Sequence, residues 1–61
     1  MIFDVYVQGQ FYKTLSVNNE ADILKIVTQD TLDKSIYKIL PNFDINSGHA
    51  VEIKPHQQDA N

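Results

Sequence analysis

The stretch Phe3-Asp4-Val5-Tyr6-Val7-Gln8-Gly9-Gln10-Phe11-Tyr12-Lys13-Thr14-Leu15-Ser16-Val17 alternates its side-chain character on both sides of a single glycine. A period of two is that of a strand whose side chains point to two faces in turn, so residues 3–7 and 11–17 predict two strands. Gly9 enters positive φ without steric penalty, which makes residues 8–10 the turn of a β-hairpin. Two registers compete. A two-residue Gly9-Gln10 turn would set Val5 opposite Thr14 and Phe3 opposite Ser16. A three-residue loop pairs Val7 with Phe11, Tyr6 with Tyr12 and Phe3 with Leu15, and gathers one apolar face. The second is expected, because slipping a strand by one residue turns every side chain over. It leaves Lys13 as a misfit on the apolar face, with a stem long enough for the ammonium to reach water from an edge.

Outward from the hairpin, Asn18-Asn19 stops the second strand. Asn19 is a good N-cap, and Glu20 and Asp22 place negative charge in the first turn of a helix, where the dipole favours it. Ala21, Ile23, Leu24, Ile26 and Val27 form a wide apolar stripe that can cover the hairpin. Thr28, Thr31 and Asp33 weaken helix propensity, so the stop is placed between Asp30 and Leu32. Residues 33–40 read as a short second helix, capped by Asp33, with Leu32, Ile36, Ile39 and Leu40 on one side and Pro41 as terminator. A strand over residues 35–40 is the competing reading. Residues 41–48 are dense in turn formers, with Phe43 or Ile45 expected to pin the loop to the core. Residues 49–54 alternate once more and end at Pro55, as an edge or terminal strand can.

The expected fold is therefore α+β: a three-stranded antiparallel sheet in the order 2-1-3 with the helix across one face. Residues 1–55 make one domain, and residues 56–61 form a polar tail with nothing to bury.

Composition limits the classes of function. A chain of 61 residues buries only roughly 60% of its unfolded surface, so its stability is marginal. The absence of Cys removes disulfides and the commonest zinc sites. There is no apolar run approaching the ~20 residues of a membrane span, and Met1-Ile2-Phe3-Asp4 lacks the basic opening of a signal peptide, so a cytoplasmic location is expected. Eight acidic side chains against five Lys and no Arg give a charge of −3, which repels phosphate backbones.

Motifs for chemistry are weak. Asp44-x-Asn46-x-Gly48 resembles the opening of a calcium loop, but Gly48 is fifth rather than sixth and Pro55 stands where the bidentate Glu belongs, so an Asx turn is expected. On a strand, His49 and Glu52 point to opposite faces and cannot share an ion, and His56 and Asp59 read as surface residues. Asp44 with His49 has no nucleophile beside it. Gly9 and Gly48 are isolated and do not open a phosphate-binding loop. No enzyme activity, cofactor or metal is expected.

The informative feature is the sheet face turned away from the helix. Ile2, Tyr6 and Tyr12 are expected there beside Thr14 and Ser16, with Tyr37 as a further contributor. Tyrosine supplies contact area at low entropic cost and is enriched at interfaces. The first expectation is thus a protein-interaction module, an adaptor or inhibitor of a larger protein, working through this face or through the open edge of residues 11–17, which could also make a homodimer. A structural or accessory subunit of a larger assembly, such as a viral or phage particle, is the alternative. Single-stranded nucleic acid is a further alternative, disfavoured because the tyrosine face has Asp4 and little positive charge.

Overall fold

The computed structural model describes residues 1–48 and 50–56. Strands β1 (Ile2–Val7) and β2 (Gln10–Ser16) form the hairpin; helix α1 (Glu20–Leu32) and a one-turn helix α2 (Ile36–Ile39) follow. A 3-10 turn at Ile45–Ser47 leads to strand β3 (Val51–Pro55). The sheet has the order β2-β1-β3 and is antiparallel throughout, as the sequence predicts. Expectations for residue 49 and residues 57–61 fall outside the described residues.

The hairpin departs from its expected register near the turn. The loop has two residues, Gln8 and Gly9, with φ of 52° and 78°, the positive pair that a type I′ turn requires and that matches the twist of the strands. Val7 therefore faces Gln10, and Tyr6 faces Phe11. The register then shifts: Val5 faces Lys13, and the expected pairing of Phe3 with Leu15 is regained. Tyr12 is the extra residue of a β-bulge, a device that re-aims side chains.

That bulge overturns the placement of two aromatic residues. Tyr12, expected on the solvent face, is only 3% exposed and lies in the core, whereas Phe11, expected in the core, is 52% exposed beside Tyr6. With the extra residue inserted, Tyr12 and Lys13 both reach the α1 side. The Tyr12 hydroxyl donates to Asp30 Oδ2 at 2.5 Å, and Lys13 Nζ lies 2.9 Å from the same oxygen. Lys13 is thus an ion-paired residue and not a misfit.

Asn19 caps α1 as expected, accepting from the Ala21 N–H. The buried stripe of α1 is narrower than predicted: Ile23, Val27 and Thr31 are sealed, Ile26 is half-buried, and Ala21 and Leu24 face solvent. Thr31 is accommodated by donating its hydroxyl to the Val27 carbonyl. Of the residues expected on one side of a helix over 33–40, Ile36 of α2 and Leu40 at its C-terminal end are buried, whereas Leu32, the last residue of α1, and Ile39 are exposed, because α2 is a single turn and aims only part of its residues inward. Asp33 Oδ1 accepts from the Ser35 N–H in the link between the helices and does not cap α2 directly. Phe43, and not Ile45, pins the following loop.

The core joins Phe3, Val5, Val7 and Tyr12 of the sheet to Ile23 and Val27 of α1, with Ile36, Leu40 and Phe43 completing it. Burying each large apolar side chain contributes about 1.5–3 kcal/mol. Gln8 closes the far end. Its Nε2 donates to the carbonyls of Asp44 (2.7 Å) and Gly48 (2.9 Å), while its Oε1 accepts from the Asp44 N–H.

Desolvation pulls the Asp30 carboxyl up, but hydrogen bonds from Tyr12 and Lys13 and the lysine charge hold it below its ordinary range. The folded-state pKa is thus below the unfolded value of about 3.9. The resulting stabilisation is complete above that value and fades as pH falls through the folded-state pKa. Asp30→Ala strands the Tyr12 hydroxyl and should cost about 1–3 kcal/mol at neutral pH. In thermal melts its deficit against the wild type should narrow once the pH is well below about 3.9; equal melts at neutral pH would remove Asp30 from this role. Lys34 follows the helix end at a left-handed φ of 66°, where Gly is at ease, so Lys34→Gly should raise the melting temperature by the equivalent of up to about 1 kcal/mol.

Candidate interaction face

Alternation on three strands assembles the face that α1 leaves uncovered. From β1 come Ile2, Asp4 and Tyr6; pairing places Ser16, Thr14 and Phe11 beside them on β2, and Lys54 and Glu52 on β3. His56 follows β3, and its backbone N–H donates to the Ile2 carbonyl at 3.0 Å. This bond continues the ladder past Pro55, which has no N–H to give.

Two groupings organise the face. Tyr6 and Phe11 meet edge to face with centroids 5.6 Å apart and planes at 76°, a favoured aromatic geometry. Lys54 Nζ stands 5.0 Å from the Tyr6 ring centroid and 3.6 Å from Glu52 Oε2. The second grouping centres on Asp4. Thr14 Oγ1 donates to Asp4 Oδ1 at 2.7 Å from one side, and His56 Nδ1 meets the same oxygen at 2.9 Å from the other. An ionised carboxylate only accepts, so His56 carries its proton on Nδ1 there. The Thr14 hydrogen bond, then that of His56, holds the Asp4 carboxyl below the ordinary carboxylate range. Because both partners converge on one oxygen, His56 does not stand between carboxylate and hydroxyl as the relay of a hydrolase requires.

Of the residues proposed from sequence, Ile2, Tyr6 and Thr14 share this face. Tyr12 lies on the opposite side of the sheet, where burial and the Asp30 hydrogen bond push its phenol upward in pKa. Tyr37 stands on α2 against the core ring of Phe43, with centroids 5.8 Å apart, and does not join the face. Phe11, carried across by the bulge, and His56, beyond the end of β3, are the members that alternation alone missed; Glu52 and Lys54 follow the alternation of residues 49–54 but were not among the residues expected there. Lys13 in an apolar series was the available signal, since a charged residue at an inward position marks a place where the alternation breaks.

Elsewhere, Asp44 Oδ1 accepts from the Asn46 N–H and Oδ2 from the Ser47 hydroxyl, the Asx turn expected for this segment. The Ser47 bond is the main reason that the Asp44 carboxyl titrates low. Among the described residues, no group of three or more His, Cys, Asp or Glu could hold a metal ion, and no helix is long and apolar enough to cross a membrane.

Thr14→Val removes the strongest influence on Asp4. In a carboxyl-detected NMR titration the Asp4 midpoint should move up toward about 3.9; an unmoved midpoint would show that Thr14 does not hold the carboxylate in solution.

No known protein family, characterised protein or solved structure matches this chain.

Proposed function

We propose that this chain is a small protein-binding module, an adaptor or inhibitor of a larger protein, which docks through the helix-free face of its sheet. The Tyr6–Phe11 pair carries the reading: two rings in mutual contact, with Phe11 half exposed and Ile2 40% exposed on the same face. Amphipathic aromatic area of this kind is what interface centres use. Strand-to-strand docking at an edge is less well supported. The bulge at Tyr12 interrupts β2, and β3 is five residues long and ends in Pro55, both devices that blunt an edge against further pairing.

The immobilised chain should capture a specific protein from an extract of its source cells. Tyr6→Ser with Phe11→Ser should weaken that capture by about tenfold or more while leaving the circular dichroism unchanged. Undiminished capture by this folded double variant, together with its loss when Ser16→Pro disables the β2 edge, would transfer the role from face to edge.

A further inference from the structure

Given a docking role for the helix-free face, we infer that its partner presents an arginine in an apolar surround, which seats its guanidinium between the Asp4 carboxylate and the Tyr6 ring. Asp4 lies at the middle of β1, flanked by Ile2 and Tyr6 two positions away on the same face. Its two side-chain partners both occupy Oδ1. Among the described residues no hydrogen bond reaches Oδ2, so an acceptor already oriented from both neighbouring strands remains open. A group held in place before binding loses little freedom when the partner arrives.

The Tyr6 ring already receives a cation. Lys54 stands over it at 5.0 Å, on a side chain 60% exposed whose other contact is the exposed Glu52. An incoming guanidinium can displace so weakly held an ammonium. Arginine suits the position better than lysine, because its plane stacks on an aromatic face while its N–H groups reach a carboxylate, and it is the more weakly hydrated ion. Charge complementarity points the same way. Asp4 and Glu52 set two carboxylates against the one ammonium of Lys54 on the face, and the whole chain carries a formal −3, which draws a basic surface in at long range.

The test is a titration of the full ¹⁵N-labelled chain with acetyl-arginine amide, acetyl-citrulline amide, which has the same shape without the charge, and acetyl-glutamate amide. The arginine probe should shift the Asp4, Tyr6 and Thr14 amides saturably, at about fivefold higher affinity than citrulline. Asp4→Asn should reduce the arginine response to that of citrulline. Lys54→Met, which leaves the Asp4 hydrogen bonds in place, should strengthen it by about twofold as the competing ammonium is removed. Equal responses to arginine and citrulline, a preference for the glutamate probe, shifts of the same size at Glu20 and Asp22 on α1, or self-association through this face in sedimentation would each overturn the inference. If the Tyr6→Ser and Phe11→Ser variant loses its captured protein while the probes are not distinguished, the docking face stands and the arginine assignment alone falls.

Discussion

Asp30 ties the sheet to the helix, and the form of the outer surface follows from that tie. Its Oδ2 takes both the Tyr12 hydroxyl and the Lys13 ammonium, two consecutive residues that an unbroken strand would send to opposite sides. Reaching one carboxylate from both requires an extra residue in β2, and the extra residue returns Phe11 to the side of Tyr6. The polar anchor inside and the aromatic pair outside are therefore two ends of one distortion. Half-burying an ionic group is acceptable here because the carboxylate accepts a hydroxyl and faces a counter-charge at one oxygen; a lone Asp on that face of α1 would be a liability.

The architecture was readable from sequence because several independent signals agreed. Two alternating runs about Gly9, the Asn19 cap with acid in the first turn, and a final alternating run before Pro55 all specify the same ββαβ arrangement, and agreement between levels is what makes a fold legible. The site was readable only in part. Ile2, Tyr6 and Thr14 sit before or beyond the bulge, where strict alternation holds. Tyr12 and Phe11 sit at it, where a count by twos places each on the wrong side. Asp4 was visible on the face and β3 was expected beside β1, but residue 56 was assigned to a polar tail; its bonds to the Ile2 carbonyl and to Asp4 depend on the exact register of β3 against β1, which alternation does not contain. The breadth of the α1 stripe was overread for a related reason: a sheet of three short strands covers one line of residues, Ile23, Val27 and Thr31, and leaves Leu24 outside it.

Gln8 shows how a domain this small uses one side chain for more than one constraint. A left-handed backbone costs a non-glycine residue roughly 1–2 kcal/mol, yet Gln8 adopts it. The turn thereby projects an amide whose two ends hold the Asp44 and Gly48 region, with its own N–H bonded to the Ala50 carbonyl. Asparagine, the usual choice for such a turn, has a side chain one methylene shorter. The hairpin turn and the long loop before β3 are thus ordered together, and strain at one backbone position is offset by the closure of a distant segment.

The strand order has a consequence for how the chain is made. β1 lies at the centre of the sheet, but its two neighbours come from opposite ends of the sequence. During vectorial synthesis the hairpin can close within microseconds of emerging, whereas one flank of β1 stays bare until the chain has grown from Ser16 to β3 at Val51–Pro55, a wait of seconds at ribosomal speed. Through that interval the backbone groups that will meet β3 are open to water, chaperones or a neighbouring nascent chain. Strand β3 is in this sense a lid on β1, and the ribosome sets the time at which it shuts.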